Sequence, residues 1–358
     1  MSKKLPLNVA IVGYGLAGAT FHAPLIKSTE GLKVSAIVSR SAEKQAQAKK
    51  DFDDLRIFAS FEDLLQSASD FDLIVIATPN TEHAPQAIAA MQAGLAVVVD
   101  KPVAINSGEC RDLIACSKKT GSSFSVFHNR RWDNDFLTIK DLLAKNKLGK
   151  ILRFESRFER YRPQAKPGAW REKIGAEEGG GILFDLGSHL IDQALELFGK
   201  PESVYAEMSV RREGVKSDDD SFVALSFPSG VKAHLWMSAI SASLAHRFRV
   251  LGTEGAYEKY GLDPQEDALR AGLSPLDKDW GKENRNNWGT LTLYPGGEKQ
   301  SLALESLDGK YQEFYAGMRD AILGKGEVPV RAESALAGLE IIELAQESAK
   351  KQKSLSLT

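Results

Sequence analysis

From Leu7 to about Asn129 the chain alternates short apolar runs with amphipathic stretches. That rhythm is the pattern of a parallel sheet whose two faces are both covered by helices. The runs Asn8 to Val12, Lys33 to Val38, Arg56 to Phe58, Leu73 to Ala77, Ala96 to Val99 and Phe124 to Phe127 read as strands. Strands in that order suit a doubly wound Rossmann domain, with ligands expected beyond their carboxyl ends. After Lys150 the pattern changes. A long strand over Ile151 to Tyr161 leads through a Pro- and Gly-bearing stretch to a helix over Leu183 to Phe198. Strands at Val204 to Arg211, Phe222 to Phe227, Val231 to Met237 and Phe248 to Leu251 follow, separated by short polar turns that indicate antiparallel meander connections. The polar stretch Gln265 to Asn287 reads as an irregular surface excursion, and helices at Tyr311 to Leu323 and Ala332 to Lys350 close the chain.

The expected class is therefore α/β followed by α+β: a Rossmann domain over residues 1–128, then residues 129–358 as a substrate-binding and oligomerisation domain. The second domain should hold an open, mostly antiparallel sheet with helices on one face. A length of 358 residues supports two such cores. Nearly balanced charge, 46 basic against 48 acidic residues, gives no electrostatic case for nucleic acid or an anionic membrane, so a small molecule is the expected partner. The only cysteines, Cys110 and Cys116, share a helical stretch, which points to a reducing, cytoplasmic setting rather than a disulfide framework. No signal-like or membrane-spanning apolar run is legible, so neither export nor insertion is expected.

The turn Gly13-Tyr14-Gly15-Leu16-Ala17-Gly18 follows the first strand and opens a helix, where backbone N–H groups can meet a pyrophosphate. The second strand ends in Ser39-Arg40-Ser41, with Lys44 close behind, rather than in the carboxylate that would bond a free ribose 2′-hydroxyl. A guanidinium and hydroxyls suit a 2′-phosphate, so NADP is expected in preference to NAD. The fourth strand ends in Ala77-Thr78-Pro79-Asn80, with His83 on the next helix, and the fifth in Asp100-Lys101-Pro102. Both tips should face the same crevice, with Lys101 near the nicotinamide ribose, although a surface ion pair before a Pro-marked turn would leave the same trace.

Asp185 and His189 are four apart on one helix, hence on one face, with Asp192 a turn further on. Oxidation of a secondary alcohol needs a base for the hydroxyl proton. His189 is the candidate, with Asp185 orienting substrate and histidine, and Lys101 donating to the reacting oxygen. A solvated helix face, or a metal held by Asp185, His189 and Asp192, are the alternatives; no further His or Cys cluster supports the metal, and none is expected. Arg157-Phe158-Glu159-Arg160-Tyr161-Arg162 alternates ring and charge, which makes Tyr161, together with Arg130, a candidate substrate contact. Asp185 and His189 would also touch substrate. His22, on the first helix, reads as a packed histidine.

These residues resemble the Gfo/Idh/MocA family of dehydrogenases. The similarity rests on the glycine turn, Ala77-Thr78-Pro79-Asn80 with His83, Asp100-Lys101-Pro102, and the run from Gly179 to Asp192. The family's lysine motif is usually Glu-Lys-Pro, so Asp100 is a departure that shortens the carboxylate by a methylene. Phe127 to Asp133 and Lys259 to Glu266 are similar to a subgroup containing NADP-dependent scyllo-inositol dehydrogenases. The resemblance implies that Lys101, Asp185 and His189 form a catalytic trio, that Trp170 and Arg171 close over the nicotinamide end of the cofactor, and that the substrate is a polyol, cyclitol or sugar. A non-catalytic NADP-sensing protein and an enzyme with tightly held, recycled cofactor stand as alternatives; retention of the whole trio favours catalysis. An open sheet face carrying Trp236 and Phe248 predicts a homodimer or homotetramer.

Overall fold

The structure is a computed structural model, and it describes residues 4–165, 174–175 and 178–357. Its chain forms two compact units. In the first, β1 (Leu7–Val12) leads through a π-helical turn (Ala17–His22) into α1 (Ala23–Lys27). There follow β2 (Leu32–Val38), α2 (Ala42–Asp51), β3 (Arg56–Phe58), α3 (Phe61–Leu65), β4 (Leu73–Ile76), α4 (Asn80–Gln92), β5 (Ala96–Val99), α5 (Ser107–Thr120) and β6 (Phe124–Val126). The strands lie in the order 3-2-1-4-5-6, all parallel. This is the doubly wound arrangement, and its order reverses between β1 and β4. β4 and β5, Leu-Ile-Val-Ile and Ala-Val-Val-Val, are buried at every position because helices cover both faces of the sheet. The connecting helices begin on side-chain caps: Ser41 accepts from Lys44 N, Ser60 from Asp63 N and Asn106 from Glu109 N.

The second unit contains α6 (Asn134–Ala144), β7 (Ile151–Glu159), a π-helical turn (Leu183–Gly187) running into α7 (Ser188–Phe198), and strands β8 (Ser203–Ser209), β9 (Asp220–Ser226), β10 (Lys232–Ser238), β11 (Phe248–Gly252), β12 (Gly255–Lys259), β13 (Gly289–Leu293), β14 (Gln300–Leu304) and β15 (Leu355–Ser356). They form one sheet ordered β14-β13-β12-β11-β7-β10-β9-β8-β15. Every neighbouring pair is antiparallel except β7 and β10, which run parallel at its centre, so the expected meander is split by the earliest strand of the unit. α7 covers one face, where Phe154 meets Phe198 and Phe248, and Phe198 meets Phe227. Phe248 is thus on the helix-covered side, fully buried, and not on the open face where the sequence reading put it; it shares the parity of Val250. Trp236 does lie on the open face, flanked by the rings of Phe222 and His234 and with the Arg157 guanidinium 3.8 Å from its centroid.

The two units are discontinuous in sequence. Gln265–Trp280 and Lys310–Ala335 belong with the Rossmann sheet, whereas the sequence reading cut the chain once, after residue 128. The stretch expected to be irregular contains α8 (Gln265–Arg270) and a 3-10 turn at Arg285–Asn287. α8 is fixed through Gln265, whose amide donates to Trp132 O and accepts from Tyr311 N, ahead of α9 (Gln312–Ile322). On α9, Phe314 packs edge-on against Phe127 and Trp132. The last helix, α10, is Ala332–Lys351. Among the described residues no helix is long and apolar enough to cross a membrane.

Candidate functional site

The glycine turn lies where the strand order reverses, and its three glycines meet different surroundings. Gly13 has φ +92°, and a Cβ there would be 2.5 Å from Ala77 O, on the chain leaving β4. A Cβ on Gly18 would overlap Gly13 O. At Gly15 it would meet nothing within 4 Å, and Gly15 and Leu16 are exposed. Two glycines therefore let the turn close on its own backbone, and the third leaves a vacant approach to a helix N-terminus. That combination fits a dinucleotide pyrophosphate. The Tyr14 side chain points inward: it is 2% exposed and donates to Asp51 Oδ2 at 3.1 Å, with burial and the Asp51 carboxylate both raising its pKa. Only its backbone is left for a phosphate.

At the end of β2, Ser39 Oγ accepts from Ser41 N, and Gln45 Nε2 donates to Ser39 O. Arg40 is exposed and makes no hydrogen bond or ion pair among the described residues, while Lys44 Nζ reaches Gln47. On the other side of the switch point, His83 is 1% exposed and bridges two loops, with Nδ1 2.8 Å from Pro102 O and Nε2 2.9 Å from Thr78 O. The imidazole thus clamps the chain after β4 to the chain after β5. Thr78 Oγ1 donates to Gln86, Pro79 is exposed and Asn80 is buried at the start of α4. Asp100 Oδ1 accepts from Lys101 N at 2.8 Å, and Lys101 is half-buried.

In the second unit Asp185 lies within the π-helical turn and His189 in the first turn of α7. Four residues are still close to one turn, so the two remain on one side of the helix. His189 is 5% exposed with its ring near Phe158, whereas Asp185 is half-buried with Arg160 Nη2 3.8 Å from its Oδ2. The helix start is held by Asp218: Ile182 N donates to its carbonyl at 2.8 Å, and Leu183 N donates to its Oδ2 at 2.9 Å. Burial pushes the Asp218 carboxyl pKa up, against the hydrogen bonds from Ser221 and Leu183. Gly181, at φ +96°, is where a Cβ would overlap Asp218 Oδ1. One turn beyond His189, Gln193 accepts from Arg247, which also donates to Ser156 Oγ at 2.6 Å.

Of the weaker sequence candidates, Tyr161 is 59% exposed just past β7, and Arg130 is buried in an ion pair with Glu266, which also takes Arg270. Trp170 and Arg171 lie outside the described residues. Arg160, Asp218 and Arg247 were missed. Arg160 had a signal, since it continues the parity of Phe154 and Phe158, the buried face of β7. Asp218 and Arg247 had none, being joined to α7 only through folding. Among the described residues no three His, Cys, Asp or Glu side chains gather as metal ligands would.

A glycine turn at the switch point of a 3-2-1-4-5-6 sheet, followed by a second α/β unit, defines a dinucleotide-binding oxidoreductase architecture. Residues 7–128 match the oxidoreductase family described as an NAD-binding Rossmann fold, and residues 140–357 match its C-terminal alpha/beta domain. The chain belongs to this Gfo/Idh/MocA oxidoreductase family. It is 42% identical to the uncharacterized oxidoreductase YdgJ of Escherichia coli, over 98% of this chain and 99% of that one. It is 36% identical to the scyllo-inositol 2-dehydrogenase (NADP(+)) IolW of Bacillus subtilis, over 98% and 96%. The solved Bacillus subtilis protein yvaA superposes with a TM-score of 0.94 at 35% identity, covering 99% of this chain and all of that one. The Yersinia pestis protein YPO2259 does so with a TM-score of 0.91 at 41% identity, over 98% and 97%.

Proposed function

We propose that the protein is an NADP-dependent dehydrogenase or reductase that interconverts a secondary alcohol of a polyol, cyclitol or sugar, scyllo-inositol being the first to test, with the corresponding ketone. The observation that carries the cofactor choice is the end of β2, where an exposed Arg40, with no hydrogen bond or ion pair among the described residues, stands between two serines in the place of the carboxylate that would bond a free ribose 2′-hydroxyl. Similarity to a relative named as an NADP(+) scyllo-inositol dehydrogenase supports the substrate class.

When bound, the nicotinamide ring supplies a hydride acceptor or donor. The turn from Gly13 to Gly18 would hold the pyrophosphate, and Ser39 and Arg40 the 2′-phosphate. Thr78, Pro79, Asn80, Asp100 and Lys101 would line the dinucleotide at the ends of β4 and β5, with His83 fixing those ends. His189 would take the proton of the reacting hydroxyl through an imidazole ring nitrogen. Asp185, restrained by Arg160, would accept from a substrate hydroxyl and set its orientation, and Lys101 Nζ would donate to the oxygen as charge develops on it. The open sheet face with Phe222, His234 and Trp236 would pair with a second copy, giving a homodimer or homotetramer. Size-exclusion chromatography with light scattering at micromolar concentration tests this, and a monomer overturns it.

The activity is tested with a panel of inositols, inososes and aldoses, each assayed with NADP(H) and NAD(H). Turnover of a cyclitol or sugar with NADP(H) is expected, with Lys101→Ala and His189→Ala inactive but still binding cofactor. Unchanged turnover in both variants would sink the assigned roles, and absence of any turnover by a chain that binds NADPH would favour a sensor.

A further inference from the structure

A buried polar chain in the first unit ends on the residue beside Lys101. His22, in the π-helical turn, is 0% exposed, and its Nδ1 lies 2.6 Å from the hydroxyl of Tyr315 on α9, 293 residues away in sequence. Its ring lies against Phe127, with the centroids 4.3 Å apart. Nε2 makes no hydrogen bond, and 4.0 Å from it is Asp100 Oδ2. The other Asp100 oxygen holds Lys101 N, and His83 holds Pro102 O. Asp100 and Pro102, on either side of Lys101, thus each lie beside a buried imidazole.

The proton positions follow from the geometry. If Nδ1 carried the hydrogen, the Tyr315 hydroxyl would be left without an acceptor and the Nε2 lone pair would face a carboxylate. If Tyr315 donates to Nδ1, its hydroxyl is satisfied and Nε2 carries the hydrogen, placing a positive N–H dipole rather than a lone pair 4.0 Å from the Asp100 carboxylate. The ring stays neutral: burial lowers the His22 pKa to about 4, outweighing the attraction of Asp100, and the neighbouring His83 lowers it further. Tyr315 stays a phenol, its pKa raised by burial and by Asp100.

We propose that Tyr315 and His22 are positioning residues: the phenol fixes the imidazole as its Nε2–H tautomer, and that N–H orients the Asp100 carboxylate that anchors the backbone of Lys101. The inference rests on the reading of Lys101 as the group that serves the reacting oxygen. A pair brought together by the return of α9 to the Rossmann sheet thereby joins the cofactor-side turn to a part of the chain that the glycine and lysine motifs do not contain.

The test is made on the cofactor-free, full-length protein. Nitrogen-15 NMR of the imidazole should show a protonated Nε2, a bare Nδ1 and no titration between about pH 5 and 8. Exchange of the Lys101 amide proton, which is bonded to Asp100 Oδ1, should quicken about fivefold in Tyr315→Phe and His22→Leu as that bond loses its hold, and return toward wild type in His22→Gln, whose amide restores an N–H beside Asp100. A protonated Nδ1 in the wild type, or Lys101 exchange that is unchanged in Phe and Leu or equally fast in Leu and Gln, overturns the proposal. Neither readout needs substrate. Turnover retained in Lys101→Met would instead refute the reading of Lys101 and leave the positioning of Asp100 by Tyr315 and His22 standing.

Discussion

Alanine at Gly13 and at Gly15 should separate folding from cofactor binding within a single turn. At Gly13 the new Cβ would be 2.5 Å from Ala77 O and 2.8 Å from Ala77 C, both backbone atoms, and the residue has φ +92°. The left-handed backbone costs about 1–2 kcal/mol for an L side chain. Moving Ala77 away strains the bond from Ala77 N to Val12 O, 2.8 Å in length, which contributes about 1 kcal/mol. A loss of about 2–3 kcal/mol is expected. At Gly15 the Cβ meets nothing within 4 Å and φ lies outside the left-handed range, so stability should hold or rise by about 0.4–1 kcal/mol through a less flexible unfolded chain. That same Cβ occupies the approach to the helix N-terminus, so NADPH affinity should fall at least about tenfold, or about 1.4 kcal/mol. Urea unfolding without cofactor and titration calorimetry with NADPH measure the two quantities. A Gly15→Ala protein that unfolds as readily as Gly13→Ala, or that binds NADPH like the wild type, would refute the division of roles between the two glycines.

Arg40→Ser should weaken NADP(H) binding by about ten- to a hundredfold, the worth of hydrogen bonds to a charged group, and leave NAD(H) binding unchanged; equal losses for both cofactors would remove Arg40 from the 2′-phosphate. Gly181→Ala, which sets a Cβ on Asp218 Oδ1 at φ +96°, should detach the cap on Leu183 N and destabilise the fold by about 2–4 kcal/mol, read from urea midpoints; a neutral result would show that the cap tolerates displacement. His22 supplies a pH dependence. Its folded pKa, about 4, lies below the ordinary 6.5, so its contribution is present above pH 6.5 and lost as pH falls toward 4. The span corresponds to about 3 kcal/mol, and the difference in unfolding free energy between wild type and His22→Gln should shrink over that interval; a pH-independent difference contradicts it.

The Rossmann sheet was legible in the chain itself, because its central strands, buried on both faces, read as continuous apolar runs alternating with helical stretches. The sequence also located the turn from Gly13 to Gly18, Arg40, Lys101, Asp185 and His189, since each belongs to a short motif whose spacing is local. Tertiary structure decided what the chain does at long range. Nothing local tells that β7 enters the centre of its sheet and runs parallel to β10, or that α8 and α9 return to the first unit. The edge strand β14 and its neighbour β13 bury too little to carry an apolar signature. Tyr14 reads locally as part of a phosphate loop; that its hydroxyl donates to Asp51 emerges only from the fold. Phe248 was placed on the open face because an isolated aromatic shows its parity only against a neighbouring strand. The partners of the motif residues, Arg160 on Asp185, Asp218 on Leu183 and Tyr315 on His22, were set last, because a hydrogen bond between distant residues has no spacing to read and exists only once the chain has brought its two ends together.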